Sequence, residues 1–388
     1  MLRPYRRGGF RHPPGIQTGS SMLFGRPRLS GRPCSARCAL AGGRIGSIAA
    51  AAVVALLLAA GPLWAQRAAV AETLLPDPQQ MARVEAAVDR ALEYLQQQQR
   101  PNGSWPSSFG SNNGINGICL LAFLGRGHVP GRGPYQDVVD RAVNYILATQ
   151  QKNGLYLSPN PSTGPMYEHA LATLAMVEAY GFIPSVAMRA SVRRAVDLII
   201  KSQSPLGGWR YQPVPGDADL SVTVMQVVAL RAAMNARLEV PKQTVENALK
   251  YVRACAVPAG GFAYQPGGGP GQARTAAGLL SMQLFGAFDD RAVANGLQYL
   301  AKTPFKPSIA YFWYANYYAM QAHFQAGGSH WANWHPKIRK MLLDSQQSDG
   351  SWLGYVEEKY NGPARCYSTG LGALVLEVYM HYLPAYQR

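Results

Sequence analysis

A short turn motif recurs along the chain and limits what the chain can fold into. The stretch "QQQRPNGSW" at residues 97–105 returns near the C-terminus as "SQQSDGSW" at residues 345–352. Weaker copies read "QQKNGLY" (150–156), "QSPLGGWRY" (203–211) and "AVPAGGFAY" (256–264). The glycines used to align the copies are Gly103, Gly154, Gly208, Gly261 and Gly350. Their spacings are 51, 54, 53 and 89 residues, and the last gap hides a degenerate copy near residues 301–308. Such a period predicts six structural units.

Each copy of the turn separates two helical patterns of different character. The segment before the turn places its apolar residues on one face, as Val84, Val88 and Leu92 show in the first unit. The segment after it is apolar nearly all round, as in "EHALATLAMVEAYG" (168–181). A helix without a polar face has to be buried on all sides, whereas an amphipathic helix needs one covered face. The pattern therefore predicts an all-α fold, a single α/α toroid of six helical hairpins with an inner and an outer ring. An open helical solenoid is the alternative.

Residues 1–65 differ in composition from the rest of the chain. They contain nine arginines and no acidic residue, and "IAAAAVVALLLAA" (48–60) has the length of the hydrophobic region of a signal peptide. Small Ala65 fits a cleavage position. We therefore expect an export signal over residues 1–65, a linker over 66–77 and the toroid over 78–388. The body would then be periplasmic or secreted, and an uncleaved N-terminal membrane anchor is the alternative.

The positive charge of the chain is concentrated in this leader. The formal net charge is +16, but without the nine leader arginines 28 basic residues stand against 21 acidic ones. This mild excess, with no basic run outside the leader, argues against a nucleic-acid partner. The three cysteines beyond the leader are Cys119, Cys255 and Cys366, and they form no close pair. The sequence thus predicts neither a disulfide scaffold nor a CxxC zinc site.

The recurring Q-x-x-D/N-G-S-W turn between paired helices resembles the repeat of squalene/hopene cyclases and of protein prenyltransferase β-subunits. The resemblance covers roughly residues 78–385 and implies the same α/α toroid that the helix pattern predicts. The turn is then a clasp between outer and inner helices, so chemistry has to be sought elsewhere. In such a ring the N-termini of the inner helices open at one end. We expect the substrate cavity to be lined there by Glu168, His169, Arg274, Tyr311, Trp313, Tyr314 and Tyr367.

One stretch at this rim resembles the acid motif of cyclases that begin by protonating an alkene. "GDADLSVTV" (216–224) resembles the D-x-D-D-T signature, in which the middle aspartate is the acid and matches Asp219. Leu220 stands where the family has a further aspartate, and Ser221 replaces the threonine. Asp219 is therefore the first candidate catalytic residue and Asp217 the second. The alternative is that one of them caps an inner helix.

The zinc site of protein prenyltransferases matches this chain only in part. "ARCYST" (364–369) supplies the family's Cys-Tyr-Ser, but Ala364 stands in place of the aspartate, and "QARTAAG" (272–278) lacks the histidine. No cofactor is therefore expected. A different zinc site made of His169, Asp219 and Cys366 is a chemical possibility.

Three functions remain open at the level of sequence. The resemblance implies an exported cyclase- or prenyltransferase-like protein that acts on an isoprenoid or other apolar molecule, with possible association with a membrane surface. The alternatives are a non-catalytic toroid that binds a glycan, ligand or protein, and a glycan-cleaving α/α barrel enzyme. The aromatic run "YFWYANYY" (311–318) suits a carbocation, a sugar or simple core filling.

Overall fold

The predicted toroid is confirmed. In the computed structural model, residues 76–159, 164–182, 185–304, 306–380 and 383 are described. The outer helices are α1 (Pro78–Gln98), α3 (Gln136–Ala148), α5 (Val186–Lys201), α7 (Lys242–Ala254), α9 (Arg291–Lys302) and α11 (Gly328–Ser345). The inner helices are α2 (Asn113–Gly125), α4 (Pro165–Phe182), α6 (Leu220–Asn235), α8 (Gln272–Leu284), α10 (Phe312–Ala326) and α13 (Cys366–Glu377). Outer and inner helices alternate along the chain, one pair for each of the six predicted units.

The inner helices form a closed ring. Each packs against the inner helix of the next unit, and the last of them, α13, packs against the first, α2. The outer ring closes at the same seam, where α11 contacts α1. Every residue of α2 is buried, whereas α1 buries one face that includes Val84, Val88 and Leu92. The predicted closed ring is therefore confirmed, and the open solenoid is excluded.

The clasp glycines explain why the turn motif recurs. Gly103, Gly154 and Gly350 have φ between 89° and 99°, which only glycine adopts without strain. An added Cβ at Gly350 would collide with the Arg90 carbonyl oxygen of the next outer helix, and the same collision occurs at Gly103 and Gly154 with α3 and α5. The glycine thus permits left-handed backbone and close contact between units.

The alignment of two copies is corrected by one residue. Gly207, with φ of 101°, and Gly260, with φ of 105°, occupy the place of Gly103, rather than Gly208 and Gly261. Gly207 lies against the carbonyl oxygen of Asn247 on α7, as its equivalents do on their outer helices. The spacing to the clasp aromatic selects the same register, because Gly103, Gly154 and Gly350 each lie two residues before it, as Gly207 and Gly260 do.

Glutamine completes four of the five clasps, and tryptophan completes three of them. Gln346 Nε2 donates to the carbonyl oxygens of Gly350 at 2.9 Å and of Ala87 on α1 at 2.8 Å. Gln99, Gln150 and Gln203 make the same pair of bonds in their units. Trp352 Nε1 donates to the Leu342 carbonyl oxygen at 2.9 Å, which satisfies one of the free carbonyls at a helix C-terminus. The motif therefore ties the end of one outer helix to the next outer helix.

Short elements also lie in the loops between the long helices. The loop after the first clasp forms a two-stranded antiparallel hairpin, β1 (Pro106–Ser107) and β2 (Gly110–Ser111). A short helix, α12 (Glu358–Asn361), lies between 3-10 turns at Tyr355–Glu357 and Gly362–Ala364. The predicted signal over residues 1–65 lies outside the described residues. Within the part of the chain that the structure describes, no helix has both the length and the apolar character needed to cross a membrane.

Candidate functional site

Tyrosines from several units meet at the N-terminal ends of the inner helices. Tyr167 on α4, Tyr314 on α10 and Tyr367 on α13 lie in the first turn of their helices and are partly exposed, as is Ser221 on α6. Inner helices are otherwise almost completely buried, so partial exposure here marks the end of the inner ring that meets solvent. We call the space bordered by Tyr167, Ser221, Tyr314, Tyr318 and Tyr367 the tyrosine chamber.

Hydrogen bonds between different inner helices fix the chamber wall. The Tyr167 and Ser221 hydroxyls lie 2.7 Å apart, and the Tyr314 hydroxyl donates to the Ser221 carbonyl oxygen at 3.4 Å. The rings of Tyr314 and Tyr318 meet edge to face with centroids 4.7 Å apart. Burial raises the pKa of Tyr167 and of Tyr314, and the proximity of Asp219 raises each further. These phenols are therefore protonated donors at any physiological pH.

Asp219 lies next to the chamber residue Ser221, and its two carboxyl oxygens have different surroundings. It is the N-cap of α6, and its side chain is fully buried. Oδ1 accepts hydrogen bonds from Val222 N at 3.0 Å and from Ser221 Oγ at 2.6 Å. Oδ2 is buried and makes no hydrogen bond with any described residue. Its nearest cation is Arg210, whose Nε lies 3.8 Å away. The capping role expected as an alternative is thus present, and it leaves one oxygen free.

Asp217, the second candidate acid, lies in a more exposed position. Its carboxylate is paired with Arg210 and accepts a hydrogen bond from Gln265 Nε2 at 3.2 Å. The guanidinium of Arg210 also lies over the Tyr211 ring, 5.2 Å from its centroid. Asp217 is exposed and paired with arginine rather than enclosed among apolar side chains, so it is poorly placed to protonate a bound alkene.

A second buried carboxylate, Glu357, contacts the chamber residue Tyr367. Glu357 Oε1 accepts a hydrogen bond from the Tyr367 hydroxyl at 2.8 Å, and Oε2 accepts one from Trp313 N at 2.5 Å. Burial raises the pKa of Glu357, and hydrogen bonds from the Trp313 backbone and the Tyr367 side chain oppose that rise. Because Tyr311 gives α10 no side-chain cap, Glu357 caps that helix from a distant segment.

Two predicted cavity residues are used by the clasp of the second unit. His169 Nδ1 accepts a hydrogen bond from Tyr156 N at 3.1 Å, and Nε2 lies 3.2 Å from the Ala195 carbonyl oxygen. Burial lowers the pKa of His169 to about 4, so the ring is neutral. Glu168 Oε2 accepts hydrogen bonds from Ser158 and from Asn113 N at 3.3 Å. Both side chains are fully engaged in holding α4 to neighbouring loops.

The remaining predicted residues differ in how they relate to the chamber. Arg274 bends back over its own loop and donates to the Pro270 carbonyl oxygen at 3.3 Å. Tyr311 has a left-handed backbone conformation, with φ of 59°. Its side chain is 51% exposed, so the ring lies toward solvent. Trp313 is fully buried and stacks on Tyr355, with centroids 5.9 Å apart. Tyr314 and Tyr367 line the chamber itself.

The zinc trio considered from the sequence is not assembled. His169 has both ring nitrogens occupied by backbone groups, and the Cys366 thiol is turned to the Ala364 carbonyl oxygen at 3.1 Å. Among the described residues, no group of three or more histidine, cysteine or carboxylate side chains could hold a metal ion.

Sequence reasoning missed Tyr167 and Glu357. Tyr167 precedes the predicted Glu168 by one position, and one residue turns a helical side chain by about 100°, from the clasp to the chamber. The helical phase was readable, because Asn116, His169, Thr223 and Thr275 all follow a clasp aromatic by 11 to 14 residues. Glu357 carried no signal, since it lies in an irregular segment far from α10 in sequence.

Comparison with known proteins agrees with this architecture. Residues 131–311 match the prenyltransferase alpha-alpha toroid domain. A drimenyl diphosphate synthase of Streptomyces showdoensis is 28% identical over 152 residues, which are 38% of this chain and 27% of that protein. A lanosterol synthase of Aspergillus fumigatus is 26% identical over 148 residues, 34% of this chain and 18% of that protein. The matched region thus spans about a quarter of the length of these relatives or less.

Solved structures share the fold at low sequence identity. A glycosidase in complex with glucose superposes with a TM-score of 0.56 at 14% identity, over 80% of this chain and all of that one. An alpha-1,6-mannanase of Salegentibacter sp. HEL1_6 gives a TM-score of 0.57 at 9% identity, over 77% of this chain and 99% of that one. The type II terpene cyclase MstE from Scytonema, bound to geranylgeranyl dihydroxybenzoate, gives 0.52 at 11% identity, over 79% and 100%. At these identities the likeness shows the fold alone. The chain contains a prenyltransferase-type alpha-alpha toroid domain and is related through it to the terpene cyclases.

Proposed function

We propose that this toroid is a cyclase-type enzyme in which Asp219 protonates an alkene of an isoprenoid bound in the tyrosine chamber. The observation that carries the proposal is the asymmetry of the Asp219 carboxyl group. Oδ1 is held by Ser221 Oγ and Val222 N, whereas buried Oδ2 makes no hydrogen bond within the described residues. Oδ2 lies 3.8 Å from Arg210 Nε, and the Tyr264 hydroxyl is a further polar neighbour of the carboxyl group.

The surroundings of Asp219 support the acid role. When Oδ2 gives its proton to the less substituted alkene carbon, the more substituted carbon becomes cationic and Asp219 becomes a carboxylate. The Ser221 hydroxyl, Val222 N–H and the positive end of α6 then stabilise that carboxylate. The faces of Tyr167, Tyr314 and Tyr318 would stabilise the cation electrostatically.

The experiment compares Asp219→Asn with Asp217→Asn on squalene and shorter neutral polyprenes. Both variants remove one carboxylate, but only the first removes the chamber acid. We expect cyclised products from the wild-type protein and from Asp217→Asn, and a loss of at least a thousandfold with Asp219→Asn, at an unchanged melting temperature. Asparagine caps helices about as well as aspartate, so the fold should persist. Product formation by Asp219→Asn would exclude Asp219 as the acid.

A second candidate is glycan cleavage, and the presence of Glu357 favours it. Glycosidases usually use a pair of carboxyl groups that flank the sugar, and Asp219 and Glu357 are two buried carboxyl groups that contact the chamber residues Ser221 and Tyr367. The likeness to glycosidase and mannanase folds is compatible with this reading. Release of reducing sugar from alpha-1,6-linked mannan, lost in both Asp219→Asn and Glu357→Gln, would select it. If neither polyprenes nor glycans react, a non-catalytic binding toroid is the remaining reading.

We also propose that the protein is exported. The composition of residues 1–65 supports this, because arginines precede an apolar run and a small residue. N-terminal sequencing of the native protein should then begin near Gln66. Recovery of the full leader on a soluble cytoplasmic protein would contradict export.

A further inference from the structure

We infer that a surface groove at the far end of α6 is a binding site for a phosphate monoester. The groove lies between the N-terminal part of α5 and the loop that follows α6, and its volume is about 580 Å³. The 16 residues of α6, which span about 24 Å, separate this groove from Ser221 at the tyrosine chamber. The groove is therefore a separate site, and the inference stands whether or not the proposed function is correct.

The first support is the charge of the groove. Arg189, Arg193 and Arg237 line it together with one carboxylate, Glu239. Arg193 is already paired, because its Nε lies 2.9 Å from Asp197 Oδ1 and its Nη1 lies 4.0 Å from Glu239 Oε2. Arg189 and Arg237 form no ion pair with any residue that the structure describes. Two unpaired guanidinium groups match the two negative charges that a phosphate monoester carries above pH 6.

The second support is the backbone conformation of Arg237. The inner helices α2, α6 and α8 end in the same way, which in α6 places Leu238 N 2.9 Å from the Ala233 carbonyl oxygen. The left-handed residue before this donor is Gly127 after α2 and Gly286 after α8, but it is Arg237, with φ of 58°, after α6. Arginine is strained in this conformation and glycine is not. A guanidinium group is thus held at the groove at a cost in stability, which favours a binding role for it.

The third support is the apolar part of the lining. Val186, Ala190 and Leu238 lie beside the arginines. Val186 is 89% exposed, which is more than any other large hydrophobic side chain in the described part of the chain. An organic group attached to a phosphate would cover this valine while the guanidinium groups hold the phosphate oxygens. The lining therefore favours a phosphate ester over inorganic phosphate.

Calorimetric titration at constant ionic strength tests the inference with phenyl phosphate, phenyl sulfate and inorganic phosphate. At pH 8 the wild-type protein should bind phenyl phosphate about tenfold more tightly than phenyl sulfate, because the second negative charge meets a second guanidinium group. It should bind phenyl phosphate about threefold more tightly than inorganic phosphate, because the phenyl ring covers Val186. The preference over sulfate should disappear at pH 5, where the phosphate ester carries a single negative charge. Equal affinities for the two esters at pH 8 would overturn the inference.

Variants locate the site. Arg237→Gly introduces the glycine found after α2 and α8, so it should raise the melting temperature by about 2 °C while it lowers the affinity for phenyl phosphate about tenfold. Arg189→Gln should lower the affinity by a similar factor. Arg83→Gln is the matched control, because it removes an exposed arginine on α1, and it should leave the affinity unchanged. Unchanged affinity in Arg237→Gly, or an equal loss in Arg83→Gln, would contradict the site.

A phosphate monoester reaches the groove either as a soluble molecule or as the headgroup of phosphatidic acid, and vesicles distinguish the two sources. Co-sedimentation with phosphatidylcholine vesicles that contain phosphatidic acid, lost in Arg237→Gly, would assign a lipid. Binding of phenyl phosphate without co-sedimentation would assign a soluble ester. Co-sedimentation that persists in Arg237→Gly would contradict a lipid in this groove. Asp219→Asn should leave all of these measurements unchanged, so the failure of this inference can be distinguished from the failure of the proposed function.

Discussion

Two side chains in the first turn of α4, His169 and Tyr167, face opposite ways and serve different purposes. His169 accepts a hydrogen bond from the clasp at Tyr156 N, and its equivalents Asn116, Thr223 and Thr275 do the same for their own clasps. Tyr167 faces the tyrosine chamber, where the corresponding side chains differ from unit to unit. A polar side chain recurs at the position of His169 because each of these units needs a hydrogen-bond acceptor for its clasp. The inward position varies because the units share one central space.

This contrast separates stability from ligand recognition. Changes on the clasp side should lower the free energy of unfolding and leave the chamber chemistry of folded molecules intact. Changes on the chamber side should alter binding or turnover at nearly constant stability. The predictions that follow test this division, beginning with the largest expected effect.

Trp352→Ala should cause the largest loss of stability. The indole is fully buried, donates to the Leu342 carbonyl oxygen and contacts the ring of Trp313 at 6.5 Å between centroids. Truncation of a buried aromatic residue costs about 3–5 kcal/mol. Tyr367→Phe, on the chamber side, should cost about 1–3 kcal/mol, because buried Glu357 Oε1 loses one hydrogen bond. Urea unfolding measures both, and similar losses in the two variants would break the division.

Gly350→Ala should cost about 3 kcal/mol, because the positive φ is strained for alanine and the new methyl group collides with the Arg90 carbonyl. Gly260→Ala is a matched comparison. Its φ of 105° carries the same strain, but an added Cβ would lie 3.4 Å from the Asn295 carbonyl oxygen. That variant should cost only about 1–2 kcal/mol. Equal losses measured by urea unfolding would mean that close contact between units contributes nothing.

His169 should make stability depend on pH. Burial lowers the pKa of His169 from 6.5 to about 4, so the unfolded chain binds more protons between these values. The stabilisation from neutral His169 is therefore complete above about pH 6.5 and is lost as the pH falls toward 4. A shift of this size corresponds to about 3 kcal/mol. His169→Asn, which imitates Asn116, should flatten that part of the profile relative to wild type. Superimposable profiles would show that His169 is not buried as a neutral ring.

The fold could be predicted because the clasp motif repeats along the chain. The candidate site could be predicted only in part because its residues belong to no repeat. The clasp residues repeat, so five imperfect copies reinforce one another, and even the one-residue error at Gly208 and Gly261 left the architecture unchanged. Asp219 could be reached through its resemblance to an acid motif. Glu357 belongs to no repeat, and only tertiary structure brings it to the N-terminus of α10. The fifth unit, which lacks a clasp, leaves that helix without a cap of its own.

The smallest predicted effect concerns the clasp glutamine, and it can be tested in both directions. Gln346→Ala removes two hydrogen bonds to the carbonyl oxygens of Gly350 and Ala87 and should cost about 1–2 kcal/mol, since those carbonyls are only partly buried. The fourth unit has Ala256 at the corresponding position, so its clasp naturally lacks these bonds. Ala256→Gln should restore them and stabilise the toroid by about 0.5–1 kcal/mol, because the Gly260 backbone has the same left-handed conformation as Gly350. A lower urea midpoint for Gln346→Ala and a higher one for Ala256→Gln, at an unchanged denaturant slope, would show that the clasp glutamine stabilises both units in the same way. If Ala256→Gln lowers the midpoint, the residues around the fourth clasp are packed against alanine and cannot accommodate glutamine. The clasps would then not be equivalent, although their sequences are similar.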